Sequence, residues 1–234
     1  RGTVGFSPSP HALLAWDFEQ GAPRKDAQGR FLRAKRGEPG LLIARVSDRY
    51  RYDGYTDPMA TEGKLLRDVF AAGDAWFDTG DLLRKVGWGH AAFVDRVGDT
   101  FRWRSENVST LAVEQALGSF PAIADCCVYG VQVPGAPGRA GMAAIMLRPG
   151  APLDLQALSE HLFAQLQEPA VPVFLRVLDT LQTTATFKNR KVELRAEGFE
   201  PAGEPAFVRL PRSRRWIPLD PQTLASLRSG SVVF

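Results

Sequence analysis

Hydrophobic and polar residues follow one pattern in the first third of the chain and another after it. The first third contains three short strand-like runs, "HALLAWDF", "QGAPRKDAQGRFL" and "GEPGLLIARV", which glycine and proline separate. Short runs with such boundaries are typical of β-strands joined by turns. These runs therefore predict a sheet without helices.

The segment that follows is predicted to contain one helix and one hairpin. Residues 64–71, "KLLRDVFA", have the spacing of a short amphipathic helix. The next two runs, "AWFDTGDLL" and "HAAFVDRV", are strand-like and are joined through Gly87 and Gly89. We expect them to pair as an antiparallel hairpin.

After Arg96 the pattern changes to helices that alternate with strands. Ser109 or Thr110 can cap a helix whose apolar residues recur at i, i+3, i+4 and i+7 and which ends before Pro121. Asp154 begins a second helix with a stripe of leucines, and residues 189–197 form a third, which Gly198 stops. Three runs are predicted strands: "IADCCVYGVQV", "GMAAIMLR" and "PVFLRVL".

The predicted fold class is therefore α+β, with a β-rich part at 1–96 and a small α+β domain at 97–234. Lysine and arginine total 29 and acidic residues 26, so the net charge of +3 does not favour nucleic acid as a partner. The only cysteines, Cys126 and Cys127, are adjacent and would point to opposite faces of a strand. Such usage is typical of a reducing compartment, and we expect a cytoplasmic protein.

Three polar segments are candidates for chemistry. In "WFDTGD", Asp81 follows a Thr-Gly turn and can accept hydrogen bonds from a vicinal diol such as a ribose. Arg96 can bind a phosphate or ribose oxygen, and Gly98 and Asp99 lie where the domains meet. In "TTATFKNRK", Lys188 precedes a helix start, where a cation is unfavourable unless an anion binds it. The ordinary alternatives are an Asp-rich turn, a charged linker and an exposed lysine.

In chain order, "GEPGLL", "WFDTGDLL", "DRVGDTFRWRSENVSTLAVE", "VYGV", "GRAGMAA" and "TFKNRKVELRAEGFEP" resemble adenylate-forming enzymes. Within them, "GDTFRW" followed by "ENV" resembles the fatty acid transport protein and very-long-chain acyl-CoA synthetase family. The resemblance covers nearly the whole chain. It implies a β-rich remnant of the large adenylate-forming domain followed by the small mobile C-terminal domain. It also implies that ATP and a fatty acid give an acyl-adenylate, which CoA converts to a thioester.

The resemblance also assigns roles to residues. Asp81 and Arg96 correspond to nucleotide-binding residues, Gly98 and Asp99 to the hinge, and Lys188 to the catalytic lysine of adenylation. A second face of the C-terminal domain would then form the thioester and line the CoA channel. That face is expected to consist of Arg102, Trp103, Arg104, Ser105, Glu106 and Asn107.

The chain departs from the family pattern at Ser105 and Ala185, where glycine is usual. It also lacks a phosphate-binding loop and the Tyr-Gly-x-Thr-Glu segment, which provides adenine and Mg²⁺ contacts. We therefore expect an internal or C-terminal piece, about the last third of an enzyme, that is inactive without the missing part. That missing part would supply most Mg²⁺ contacts, the acyl tunnel and any membrane association.

Two alternatives remain open. The chain can be a non-catalytic binding module that retains the C-terminal fold. The run "VRLPRSRRW" can bind nucleic acid or an anionic membrane surface, although a solvated hairpin tip is its ordinary explanation and we expect no nucleic-acid partner. His11, His90 and His161 lie far apart without a carboxylate at ligand spacing, so no metal site is predicted.

Overall fold

A computed structural model describes residues 3–4, 10–54, 56–87, 90–181, 189–200 and 203–234. The chain folds as two compact units, Arg1–Gly98 and Asp99–Phe234. The division lies two residues after the boundary predicted between 96 and 97. Unit 1 is mostly strand and unit 2 mixes strands with helices, which confirms the α+β class.

Unit 1 consists of one antiparallel sheet and a short helix. Within its described residues the strands follow the order β1-β7-β6-β4-β2-β3, with β5 paired to β6. The strands are β1 (Thr3–Val4), β2 (His11–Asp17), β3 (Ala22–Pro23), β4 (Pro39–Val46), β5 (Leu65–Arg67), β6 (Ala75–Gly87) and β7 (His90–Arg96), and the helix is α1 (Pro58–Glu62).

Strand β2 shows why this sheet forms. Its residues alternate between two clusters, with Ala12, Leu14 and Trp16 in one and Leu13 and Ala15 in the other. Alternate residues of a strand face opposite sides of a sheet, so β2 buries apolar side chains on both faces. The predicted hairpin of β6 and β7 is confirmed by their antiparallel pairing.

Two predictions for unit 1 were wrong, and one helix was missed. The run 20–32 contributes only Ala22–Pro23 as a strand, together with an isolated antiparallel bridge between Lys25 and Phe31. Helix α1 was missed, although Asp57 caps it by accepting a hydrogen bond from the Met59 N–H (2.9 Å). The helix expected at 64–71 does not form, because residues 65–67 are the strand β5 and pair with β6.

The Asp74 carboxylate explains why a helix cannot continue through residues 69–71. It accepts hydrogen bonds from the backbone N–H groups of Val69 (2.6 Å), Phe70 (3.0 Å) and Ala71 (3.1 Å). It also accepts one from the Trp76 indole N–H at 2.9 Å. These donors are satisfied by a side chain that follows them in the sequence, and the segment forms a turn instead of a helix.

Unit 2 consists of a five-stranded sheet with the order β10-β11-β12-β13-β14, a separate hairpin and four helices, counted over its described residues. The pairing of β11 with β12 is parallel and the other pairings are antiparallel. The strands are β8 (Phe101–Trp103), β9 (Glu106–Val108), β10 (Ile123–Val131), β11 (Ala140–Leu147), β12 (Phe174–Val177), β13 (Ala206–Arg209) and β14 (Trp216–Pro218). The helices are α2 (Thr110–Gly118), α3 (Leu155–Gln165), α4 (Asn189–Glu197) and α5 (Pro221–Arg228), with a 3₁₀ turn at Glu168–Ala170.

The helices and strands predicted for residues 109–198 are confirmed. Ser109 caps α2 by accepting from the Ala112 N–H (3.3 Å), and Asp154 caps α3 by accepting from the Gln156 and Ala157 N–H groups. Gly198 follows α4 with a φ of 72°, as expected for a helix stop. Helix α5 was missed. None of the described helices has the length and hydrophobicity that crossing a membrane requires.

Candidate functional site

Asp81 and Arg96 form a cross-strand pair on the β6–β7 hairpin. The two residues are register partners, and Arg96 Nε lies 3.5 Å from Asp81 Oδ1. The Asp81 side chain is 31% exposed and the Arg96 side chain is 63% exposed. An exposed ion pair contributes little free energy, so a ligand can replace the contact at small cost. The pair therefore presents one hydrogen-bond-accepting carboxylate and one guanidinium donor side by side.

The backbone before Asp81 is fixed by a bulge in β6. Ile43 pairs with Asp78 and Leu41 pairs with Leu82, so three residues of β6 lie opposite a single residue of β4. Gly80 has a φ of 75°, which glycine adopts without strain. Asp81 therefore lies inside strand β6 as the last residue of the bulge.

Side-chain hydrogen bonds hold this bulge. The Thr79 hydroxyl donates to the Leu42 carbonyl (2.8 Å) and accepts from the Asp81 N–H (3.1 Å). The Gly80 N–H donates to Asp78 Oδ1 at 2.7 Å, and Lys64 Nζ lies 3.5 Å from the Asp78 carboxylate. The "DTGD" sequence thus positions Asp81 through a threonine and an aspartate that need not touch a ligand themselves.

The division between the units falls between Gly98 and Asp99. Gly98 has a φ of 86°, and no described heavy atom lies within 4 Å of the position that a Cβ would occupy there. Asp99 belongs to unit 2, where Lys191 Nζ and Arg195 Nη2 each lie 3.5 Å from one of its carboxylate oxygens. The two predicted hinge residues therefore have different environments.

The segment predicted to face CoA is the β8–β9 hairpin. Trp103 pairs with Glu106, which leaves Arg104 and Ser105 as a two-residue turn with φ values of 49° and 65°. Positive φ at both central positions is the type I′ pattern that best joins two twisted strands. Ser105 therefore has a positive φ, a backbone conformation that glycine adopts without strain. Arg104 Nη1 lies 3.3 Å from Glu168 Oε1.

The side chains of this hairpin divide into an inner and an outer set. Phe101, Trp103 and Val108 are buried, and the Trp103 ring lies 5.7 Å from the Phe234 ring, centroid to centroid. The outer set includes four exposed residues: Arg104, Ser105, Glu106 and Asn107. The structure therefore places the Trp103 side chain in the core of unit 2.

Glycines that the sequence analysis did not assign to any role make room for the hairpin. A Cβ at Gly130 would lie 2.6 Å from Phe101 Cβ, and a Cβ at Gly138 would lie 2.4 Å from the Arg102 carbonyl oxygen. The Arg139 N–H also donates to that carbonyl at 2.8 Å. Glycine inside a strand commonly marks such a close approach, so the "VYGV" motif contained the signal.

Lys188 and Ala185 lie outside the described residues, so the position of the lysine stays a prediction.

In "VRLPRSRRW", residues 209 and 216 belong to the paired strands β13 and β14, so the predicted hairpin tip is confirmed. Arg209 is not part of the exposed charge, because it is buried and donates to the Val171 and Ser213 carbonyls.

The sequence of the chain is similar to those of several known proteins. Residues 112–188 match the model of the AMP-binding enzyme C-terminal domain family. The chain is therefore similar to the adenylate-forming enzymes that contain this domain. It is 53% identical to the medium/long-chain-fatty-acid–CoA ligase FadD6 of Mycobacterium tuberculosis over 84% of the chain and 33% of the relative. It is 42% identical to the human long-chain fatty acid transport protein 3 over 99% of the chain and 35% of the relative.

A solved structure supports the same assignment. The amide bond synthetase McbA of Marinactinospora thermotolerans is 26% identical, with a TM-score of 0.61 over 84% of this chain and 36% of that one. The resemblance inferred from the sequence is thus confirmed. The chain spans about a third of the length of the curated relatives it matches.

Proposed function

We propose that the chain is the C-terminal part of an ATP-dependent fatty-acid–CoA ligase. The observation that carries the proposal is the Asp81–Arg96 pair, a half-exposed carboxylate beside an exposed guanidinium on adjacent strands. Such a pair suits a nucleotide, because the carboxylate accepts hydrogen bonds from ribose hydroxyls and the guanidinium donates to phosphate or ribose oxygens. The exposed ion pair opens at little cost when these partners arrive.

The remaining roles are assigned to residues by the family resemblance and are part of the proposal. Lys188 donates to the carboxylate and phosphate oxygens while the acyl-adenylate forms. Gly98 is the pivot, because its positive φ and open surroundings allow a large change of torsion. After the rotation, the β8–β9 hairpin faces the thiol of CoA.

Burial supports a division of the hairpin residues between two roles in this proposal. We assign a supporting role to Trp103 because it is buried, and CoA contact to Arg102, Arg104, Ser105, Glu106 and Asn107. The substrates are ATP, a fatty acid and CoA. The Mg²⁺ that accompanies ATP is assigned mainly to ligands outside this chain. No group of three His, Cys, Asp or Glu side chains suited to a metal occurs among the described residues.

A peripheral membrane contact is a finer part of the proposal. Arg212, Arg214 and Arg215 are exposed at the β13–β14 tip, where they can meet anionic headgroups. A protein that acts on fatty acids benefits from proximity to a lipid surface. This contact would be weak and would depend on salt.

A hybrid ligase tests the proposal. In it, the chain replaces the matching third of the M. tuberculosis relative, and the unmodified relative is the positive control. We expect the hybrid to form acyl-CoA from a long-chain fatty acid. Asp81→Ala should raise the KM for ATP by about 10- to 100-fold, because it removes charged hydrogen bonds worth about 1.5–3 kcal/mol.

Asp53→Ala is the matched control, because Asp53 is an exposed carboxylate of the same unit. It should leave the KM for ATP unchanged. A hybrid that folds but forms no acyl-CoA contradicts the proposed function and favours the non-catalytic module. Equal KM values for the Asp81 and Asp53 variants contradict the nucleotide site.

A further inference from the structure

Four charged side chains of unit 2 meet where its first residue contacts helix α4. Lys191 Nζ lies 2.9 Å from Thr110 Oγ1, 3.2 Å from Glu114 Oε1 and 3.5 Å from Asp99 Oδ2. The Lys191 side chain is 16% exposed. A mostly buried ammonium with three oxygen partners keeps its position, because any displacement leaves charged groups without partners.

Asp99 contacts α4 at two points along the helix axis. Lys191 and Arg195 are four residues apart and therefore lie on the same face of α4. Each lies 3.5 Å from a different oxygen of the Asp99 carboxylate. Two contacts one turn apart restrict both sliding and rotation of the helix relative to Asp99.

The network also reaches the central sheet. Glu114 of α2 pairs with Lys191, and its Oε1 accepts a hydrogen bond from the Val128 N–H of β10 at 2.9 Å. Helix α4 itself packs against β10. Asp99 is therefore joined through α4 to the folded body of unit 2, whereas the preceding Gly98 has open surroundings among the described residues.

We infer that Asp99, Lys191 and Arg195 form a clamp that makes α4 and the first residue of unit 2 move as one body. Lys188 immediately precedes α4 in the sequence. The clamp thus couples the residue that follows the pivot at Gly98 to the helix that follows the catalytic lysine in the sequence. Its residues are positioning residues, since they act through α4. This role rests on the proposed function.

Amide hydrogen exchange in the 234-residue chain tests the clamp without reference to any activity. Asp99→Asn and Arg195→Gln should each speed exchange in α4 by about 5-fold or more, while exchange in α3 stays unchanged. In the Asp99→Asn/Arg195→Gln double variant, exchange in α4 should be less than about 2-fold faster than in either single variant, because both changes remove the same Asp99–Arg195 contact. Glu193→Gln, on the exposed face of α4, is the matched control and should have no effect.

The hybrid ligase tests what the clamp does. Asp99→Asn should slow acyl-adenylate formation about 10-fold with the KM for ATP within about 2-fold of the wild type. Thioester formation from supplied acyl-adenylate should stay within about 2-fold, and Asp99→Glu should restore at least half of the adenylation rate, since it retains the charge.

The outcomes separate the two claims. The clamp would be refuted if exchange in α4 were unchanged in both single variants. It would also be refuted if the rate increase in the double variant equalled the product of the two single increases. Equal losses in both half-reactions would show that Asp99 has a merely structural role. An inactive wild-type hybrid would instead refute the proposed function, and the exchange experiment would still decide whether the clamp exists.

Discussion

Replacing Ser105 by glycine tests whether the β8–β9 turn is strained. Ser105 has a φ of 65°, and this conformation costs an L-residue about 1–2 kcal/mol. Glycine adopts it freely but loses about 0.5–1 kcal/mol more through unfolded-state entropy. The difference predicts that Ser105→Gly stabilises unit 2 by about 0.5–1 kcal/mol.

The assay is hydrogen exchange of the most protected amides in β10 and β11, which report the global unfolding of unit 2 in the whole chain. A gain of about 0.5–1 kcal/mol corresponds to exchange about 2- to 5-fold slower. Asn107→Gly is the control, because Asn107 lies exposed in β9 of the same hairpin and does not have a positive φ. There glycine should speed exchange by a similar factor. If Ser105→Gly also sped exchange, the argument for strain would be wrong.

Three further predictions concern the close approach of the hairpin, the turn of unit 1 and the arginine tip. Gly138→Ala should destabilise unit 2 by about 2–4 kcal/mol in the same exchange assay, because its Cβ would lie 2.4 Å from a carbonyl oxygen. Gly150→Ala is the control and should cost only about 1 kcal/mol, because Gly150 has a similar φ but open surroundings. Equal losses in the two variants would exclude the clash. Burial acts to raise the pKa of Asp74, but hydrogen bonds from Trp76, Phe70 and Val69 outweigh it and hold the pKa below its usual value. The ionised Asp74 carboxylate should therefore stabilise unit 1 above about pH 4, and this stabilisation should be lost as the pH falls through the native pKa. Asp74→Asn should cost unit 1 about 1–2 kcal/mol at pH 7, measured by exchange of β4 amides. A cost that grew on acidification would contradict the predicted pH dependence. Arg214→Ala with Arg215→Ala should weaken sedimentation with phosphatidylserine vesicles at low salt, whereas unchanged binding would exclude the tip as the contact.

The sequence predicted elements whose signals are local. Helices α2 and α3 begin at side-chain caps, and their apolar spacing needs no partner to be recognised. The two missed helices also had a local signal, since both α1 and α5 begin with an Asp cap followed by proline. These two errors were therefore avoidable.

Other features depend on contacts that no local pattern contains. Residues 64–71 have helical spacing, but the Asp74 carboxylate and the edge of β6 determine their conformation. In the candidate site, Asp81 and Arg96 were identified as residues, while their register pairing required the structure. The contact between Asp99 and Arg195 joins residues 96 positions apart, and nothing in either segment indicates the other.

The central claim is that Lys188 and the β8–β9 hairpin serve two successive half-reactions of one ligase. The most direct measurement compares the two half-reactions in the hybrid ligase before and after Lys188→Ala. The rate of acyl-adenylate formation, measured by ATP–pyrophosphate exchange, should fall by at least about 100-fold. Thioester formation from supplied acyl-adenylate should be retained. Equal loss of both half-reactions, or exchange activity in the 234-residue chain alone, would contradict the account.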